Sequence, residues 1–571
     1  MFDLKHLFLA ASVLLCTEVG GFEIQKARIA PFQTQRAPGE TTHLTRTGFY
    51  PVAAMEPTTN ENFDSRFACI RLSVSSEPGG MFEGKEIRRI AFDADKPVSG
   101  DVLVDVTYHD LMFEENSGKS SSVTLDVLQG SSLGNTQEIY YATLYPAGAT
   151  SLSVRYWLRD ASGKVEVLSH KIGGVSLQEG AMTRVEDRLP AKLLPGWTLT
   201  EHRPDIEAYK KAVSEIIRAA GLPTMQVTRI SNIDTVMFTV VNEAFYKSHP
   251  ERRKEILRPF DMQSIYQACS ISKTPCCYIY MKMASDGEVD LDKPLTYYYP
   301  GLVNRFKPAY RERVKLITGR MAESHLSGGG PGYSNMPLDF YPGYHYDYRN
   351  SNTCMLQWTI EHIKGEPLDS VAKHYIFDKR DMPTTSYTWI PAYDSLAVFN
   401  NAGKRRHNGW EHNKWGTPEP EFWWAHEAYN NNASYHMRTN SNEFSRFLQW
   451  YITGAELSED IYNQMMSKTV RTSNPSPTVW RTIGSWVLED NPEWGRFIMH
   501  TGSNGAFKGL AMIFPERNTT LSCWANGRHH HTVWRSVTNV LLDPVEPFCV
   551  FPLGLTPIPK YDRSDNKQSI K

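Results

Sequence analysis

From about residue 66 to 185 apolar and polar side chains alternate with a period of two. Val102, Val104, Val106 and Tyr108 form one such series, Val123, Leu125 and Val127 a second, and Leu152, Val154, Tyr156 and Leu158 a third. Successive side chains on a strand point to opposite faces, so each series gathers its apolar members on one face. Gly- and Ser-containing turns separate the series and no long helical period intervenes. This texture predicts an all-β sandwich of roughly eight short strands over residues 66–188. Ahead of it, residues 22–65 are polar, rich in Pro and Thr and without sustained period, as expected of an extended arm or linker. A second break falls between Leu189-Pro190 and Trp197. Asp205 then opens IEAYKKAVSEIIRAAG, whose spacing predicts an amphipathic helix closed by Gly221 and Pro223. Strand-like Met237-FTVV follows, and helical and strand periods mix from there to about 545, in an α/β or α+β arrangement. Residues 546–571 read as a polar tail, and no repeat or low-complexity tract interrupts the chain.

Composition narrows this picture. The 571 residues exceed one ordinary domain and predict a multidomain chain. A net charge of −2 offers no basic footprint for nucleic acid or anionic lipid. Lys5, the apolar run Leu7–Cys16 and the small residues Val19 and Gly21 fit a cleavable signal peptide over 1–21, leaving Phe22 as the new terminus of a secreted or periplasmic chain. That run is too short to span a bilayer, and no other stretch qualifies. Seven cysteines would remain, an odd number, and Cys276-Cys277 matches no zinc or redox spacing. They read as buried free thiols.

Candidate chemistry begins at 268-ACSISKTPCCYIYMKMASDG-287. Three residues is close to one helical turn, so Ser Oγ and Lys Nζ of an S-x-x-K pair project from the same face. A desolvated lysine there can take the serine's proton. The pattern occurs at Ser270–Lys273, Ser370–Lys373 and Ser564–Lys567. Only the first has a strand-to-helix approach, Gln263-SIYQA, and an apolar continuation suited to a buried helix. Ser370 lies in a solvated helix and Ser564 in the tail.

With this block the chain resembles the serine β-lactamase and penicillin-binding-protein superfamily, in its branch of class C β-lactamases, D,D-peptidases and esterases. Four further blocks follow in order: Ser324-HLSGGGPGYS, similar to the family's His-Thr-Ser-Gly loop; Tyr348-RNSNTCMLQWTIEHIKG, to its Tyr-x-Asn motif; Met437-RTNSNEFSRFLQWYITG, to the segment behind the cleft; and His500-TGSNGAFKGLAMIFPERNTTLSCWANG, to its Lys/His-Thr-Gly strand. The resemblance covers residues 197–545. It implies a β-lactamase/transpeptidase-like domain, an antiparallel sheet flanked by helices with a mostly helical lobe. It implies a serine hydrolase without metal or organic cofactor, in which Ser270 attacks an acyl carbonyl, Lys273 is the general base and Tyr348 assists proton transfer. Backbone N–H groups of Ser270 and Ser503 would hold the oxyanion on the edge strand carrying Thr501 and Gly502, and Asn350 would bond Lys273 or a substrate amide. The expected partner is a small-molecule or peptide acyl substrate. The β-sandwich would bind a carbohydrate or protein, or serve as a structural accessory.

The chain departs from the family pattern at several points. Tyr333-Ser334-Asn335 and Tyr429-Asn430-Asn431 compete for the Tyr-x-Asn role; Tyr348 is preferred because it directly precedes a long helical period. Arg349 replaces a small residue, and Ser434-Tyr435 stands where a glycine pair is expected. His500 replaces the lysine usual in β-lactamases, which weakens the case for a substrate carboxylate. The tryptophans of Asn408-GWEHNKWGTPEPEFWWAHEAYNNN would wall a pocket or fill an insertion. His529-His530-His531 point different ways and read as a solvated turn, not a metal site. Asn432-Ala433-Ser434 and Asn518-Thr519-Thr520 are glycosylation sequons in a secreted eukaryotic chain. The rival functions are a true β-lactamase or D,D-carboxypeptidase, and a non-catalytic binding protein that kept the fold.

Overall fold

The computed structural model describes residues 17–19, 22–29, 32–41, 67–105, 111–113, 119–253, 256, 258–332, 334–398, 432–472, 476–491, 494–504, 507–527, 532–544 and 548–551. It divides into two compact units, Met1–Pro204 with Ser231–Asp234, and Asp205–Ile230 with Thr235–Lys571.

In the first unit a six-stranded sheet runs in the order Thr198–Glu201, Val165–Leu177, Gly148–Arg159, Glu86–Ala94, Ser122–Val127, Phe32–Gln35. A three-stranded sheet runs Met182–Leu189, Ala68–Ser76, Glu138–Leu144. The alternating positions Leu152, Val154, Tyr156 and Leu158 are all buried, in one core with Val123, Leu125, Ile70, Leu72 and Val74. Val106 and Tyr108 lie outside the described residues, as does the apolar run Leu7–Cys16.

Two boundaries shift. Residues 22–35 are not an arm: Phe22–Ile29 pairs with Gly100–Asp105, and Phe32–Gln35 pairs in parallel with Ser122–Val127. The reason is polar. Gln33 and Gln35 are 2% and 0% exposed, and their amides bond across to the Glu138–Leu144 strand. Gln33 Nε2 donates to Thr143 O at 2.6 Å and Gln35 Nε2 to Ile139 O at 2.9 Å, while Thr143 N and Tyr141 N donate back to the two Oε1 atoms. A buried face made of glutamine leaves no hydrophobic period. The second break likewise falls after Thr198–Glu201, which pairs with Val165–Leu177; the next unit begins where Asp205 caps the helix Ile206–Ala219, accepting from Ala208 N.

The second unit is built on an eight-stranded antiparallel sheet, ordered Thr235–Val241, Thr224–Ile230, Thr519–Ala525, Lys508–Phe514, Gly495–Ser503, Val487–Asn491, Val479–Arg481, Val470–Arg471. Its two faces sort by parity. Phe497, Met499, Leu510, Met512 and Cys523 pack with Val213, Ile217 and Val537 of the helices Ile206–Ala219 and Thr532–Leu542. Ile498, Ala511, Ile513 and Trp524 face the other way, into the core around the helices Lys273–Ser285, Asn350–Lys364 and Ser441–Ile452. The sheet is therefore covered by helices on both faces. The polar tail starts later than its composition suggests. Phe548 and Phe551 are buried, and Cys549 N and Val550 N donate to the Glu489 carboxylate at 3.0 and 2.7 Å; residues 552–571 lie outside the described residues. Of the seven described cysteines, six are buried and Cys549 is half-buried. No helix among the described residues is long and apolar enough to cross a membrane.

Candidate active site

The chain enters the site through a two-residue strand, Tyr266–Gln267, paired with Arg438–Thr439. Ala268 N donates to Met437 O at 2.8 Å, so the turn that follows is fixed on one side. Cys269 takes a left-handed φ of 51°, a conformation that costs a non-glycine residue about 1–2 kcal/mol and persists only where its surroundings enforce it. Ser270 follows, half-buried, in the 3₁₀ turn Cys269–Ser272, and Lys273 opens the helix Lys273–Ser285. That helix is buried on nearly every face, as its unbroken apolar run requires. Lys273 is 0% exposed; its Nζ lies 3.2 Å from Ser270 Oγ and donates to Ser434 O at 2.8 Å. The other pairs differ: Ser370 is exposed with Lys373 bound to Asp369 at 2.9 Å, and Ser564–Lys567 lies outside the described residues.

The Gly495–Ser503 strand closes the other side. It is an inner strand over Gly495–Met499, paired with Val487–Asn491, and an edge only over His500–Ser503. A Cβ on Gly502 would stand 2.4 Å from Ala268 O and 3.1 Å from Cys269 Cβ. Glycine is needed there for the strand end to lie against the turn that carries the serine. Thr501 is half-buried and Ser503 exposed on this end. Asn504 Nδ2 donates to Gln267 Oε1, and Cys269 Sγ to Phe507 O at 3.4 Å.

Tyr348, His500, His325 and Arg481 form the third wall. The Tyr348 ring centroid lies 5.0 Å from Lys273 Nζ, 4.5 Å from the His325 ring and 6.1 Å from the His500 ring. Its hydroxyl is buried without a hydrogen-bond partner. His500 Nδ1 sits 2.7 Å from Thr501 O; a carbonyl only accepts, so Nδ1 carries the hydrogen. Nε2 then keeps its lone pair, buried and unpartnered. Burial holds the His500 pKa well below the ordinary range, and the charges of Arg481 and Lys273 add to this. His325 is lowered by the same three causes in the same order, with His500 after them. Its Nδ1 accepts from Asn352 Nδ2 at 3.2 Å and Arg349 N at 3.4 Å, which leaves Nε2 to donate to Ser485 Oγ at 2.8 Å.

Ser270, Lys273, Tyr348, His500 and Gly502 thus share one neighbourhood. Asn350 opens the helix Asn350–Lys364 with its side chain exposed, and Lys273 bonds Ser270 and Ser434 instead. Ser434, in place of the expected glycine, joins three parts: its O accepts from Lys273 and its Oγ donates to Asn350 O at 2.9 Å. Arg349 turns away to Asp347 and Asp339 at 2.8 and 3.3 Å. In the first sequon Asn432 and Ser434 are buried, and in the second Thr520 is buried while Asn518 is half-buried. Tyr333, the aromatic stretch around Trp410–Trp424, Tyr429 and His529–His531 lie outside the described residues. Sequence reasoning missed His325 and Arg481. The first stood in a quoted block, but its left-handed φ of 62° and its stacking appear only in three dimensions. Nothing in the chain pattern marked the second.

A family model described as Beta-lactamase matches residues 211–541. A solved D-stereospecific amidohydrolase from Streptomyces sp. is 19% identical over 60% of this chain and 100% of its own, with a TM-score of 0.45. A D-alanine carboxypeptidase AmpC from Burkholderia cenocepacia is 15% identical over 60% and 99%, with a TM-score of 0.46. A class C beta-lactamase is 14% identical over 60% and 99%, with a TM-score of 0.46. No curated protein matches the chain.

Proposed function

Since the chain belongs to the beta-lactamase family of serine hydrolases, we propose that it cleaves an ester or amide through a covalent acyl-enzyme on Ser270. One observation carries this reading: Lys273 Nζ is fully buried, 3.2 Å from Ser270 Oγ, with a carbonyl as its other partner and no carboxylate among the described residues to claim it. Lys273, in its uncharged form, takes the hydroxyl proton as Oγ bonds to the acyl carbon. The carbonyl oxygen gains the charge, and backbone N–H groups of Ser270 and Ser503 are the donors offered to it. The approach of Gly502 to Ala268 supports that pairing. One such donor is worth about 3 kcal/mol of barrier. Collapse breaks the bond to the leaving group, which takes a proton by way of the Tyr348 hydroxyl. Water then attacks the acyl-enzyme and Ser270 is restored with its proton.

The test is intact mass after exposure to a fluorophosphonate, on wild type and on Ser270→Ala. One adduct on wild type, lost in the variant, is expected. An adduct that survives in Ser270→Ala, or none on folded wild type, would sink the proposal.

A further inference from the structure

Gln357 and Glu361 are buried polar side chains on the helix Asn350–Lys364, and the acyl transfer uses neither. With Cys354 they stand at steps of three and four residues, which places them along one helical face. Burying an amide and a carboxyl is unfavourable unless their bonds are made, and here they are made to the segment Asn432–Ser434. Gln357 Oε1 accepts from Ala433 N at 2.9 Å, and Cys354 Sγ lies 3.3 Å from Ser434 Oγ. Asn432 Oδ1 accepts from Ser434 N at 2.8 Å, so the consecutive N–H groups of Ala433 and Ser434 are both bonded. A backbone N–H only donates, which fixes the Gln357 amide with its oxygen toward Ala433 and its nitrogen toward Glu361. Nε2 accordingly donates to Glu361 Oε1 at 3.1 Å, and Leu368 N donates to the same oxygen at 3.0 Å. Burial raises the Glu361 pKa to about 7, but Oε1 accepts whether or not Oε2 carries a proton.

The segment so held ends on a carbonyl that Lys273 bonds. Ser434 O accepts from Nζ at 2.8 Å, and Nζ lies 3.2 Å from Ser270 Oγ. An uncharged amine carries two N–H groups and one lone pair in a tetrahedral array. With one N–H fixed on Ser434 O, rotation about the Cε–Nζ bond is restricted and the lone pair can be held toward Ser270 Oγ. A base that activates a nucleophile is itself oriented by a third group, and Ser434 O is placed to be that group. A misplacement of about 1 Å at such a point can cost about 10²-fold in rate.

We propose that Gln357 is a positioning residue for the general base. Through Ala433 it holds the Ser434 carbonyl that aims Lys273 at Ser270, and Glu361 keeps the Gln357 amide in the required orientation. This inference rests on the acyl-transfer reading and adds to it two residues that act only through others.

The probe is 4-nitrophenyl acetate, whose leaving group departs without a proton, so that the rate reports Ser270 and Lys273. kcat is counted per site that a fluorophosphonate labels after long exposure. Gln357→Met, which strands Ala433 N, is expected to lower kcat and kcat/KM together by about tenfold to hundredfold, with KM within about twofold of wild type. Gln357→Glu keeps an acceptor for Ala433 N. It is expected to stay within about threefold of wild-type kcat at about pH 6, where the two carboxyls share a proton. If Gln357→Met does not fold, Gln357→Asn, too short to reach Ala433, replaces it. Loss of fold in both makes the side chain structural and overturns the inference. Wild-type kcat per labelled site in Gln357→Met overturns it too, as does a rise in KM that accounts for the whole loss, or an equal loss in Gln357→Glu. Each of these outcomes leaves the hydrolase standing. No labelling of folded wild type ends the acyl-transfer reading itself, and the inference with it.

Discussion

Each unit buries a histidine, and the two are finished differently. In the β-rich unit His170 Nε2 meets Asp187 Oδ2 at 2.9 Å, Nδ1 meets Lys171 O at 3.2 Å, and the ring lies flat on Trp197 at 3.6 Å. Tyr156 Oη donates to the same Asp187 oxygen at 2.5 Å. Every polar atom of that ring is used. In the second unit His500 uses one nitrogen and leaves the other buried with nothing to bond, 6.1 Å from a tyrosine whose hydroxyl is in the same state. Leaving a buried polar atom unmade costs about 1–3 kcal/mol. Burial alone does not separate the two rings; completeness of bonding does. The first ring has both nitrogens bonded, whereas the second keeps one nitrogen available, as the proposed reaction requires.

The strongest way to break the contrast is at Lys273. Lys273→Met is expected to lower kcat/KM for an activated ester by ~10²–10⁴-fold, and to let the His500 ring titrate nearer the ordinary histidine range in an NMR titration, because one of the charges holding it down is gone. A reciprocal pair sharpens it. His170→Gln should cost about 2–4 kcal/mol of stability, by removing the imidazole partner of the buried Asp187, with no change of rate below the unfolding temperature. His500→Gln should reverse the pattern, losing activity while the urea midpoint barely moves; equal stability losses would collapse the distinction. Next, Gly502→Ala should lower unfolding free energy by about 1–3 kcal/mol and slow acylation, because its Cβ would meet Ala268 O. The smallest effects lie in pH. A buried ring with a lowered pKa binds fewer protons folded than unfolded, so stability falls as pH drops below the unfolded value of about 6.5. That loss should shrink in His500→Gln. Glu323 runs oppositely: burial raises its pKa to about 8, so its contribution is present at low pH and is lost as pH rises from about 4.5 through about 8. Glu323→Gln should flatten that limb of a Tm–pH profile.

What could be read from the chain was what neighbouring residues encode together. Leu152 to Leu158 alternate and are all buried, because one strand face meets an apolar core. Ser270 and Lys273 are joined by three residues of spacing, and the contact followed. Gln33 and Gln35 defeated the same logic because amides bonded to a neighbouring backbone can fill a buried face. Arg481 was invisible for another reason: a three-residue strand has no period, and Tyr346 and Tyr348 reach it from more than a hundred positions away. The lowered pKa of His500 was equally hidden, since the burial that causes it and the two cations that add to it come from other elements.

The pairing of Thr224–Ile230 with Thr519–Ala525 sets a timetable for synthesis. Thr224 N also bonds Asn526 Oδ1, a partner made 302 positions later. At ~5–20 residues per second a ribosome takes about 15–60 s to cover that distance. For that interval the hairpin of Thr224–Ile230 and Thr235–Val241 has one long edge open, carrying Met225 and Val227, and such edges recruit other chains. A product truncated before residue 519 would contain Ser270, Lys273 and Tyr348 and lack the strand that joins Thr224–Ile230 to Lys508–Phe514 in the sheet.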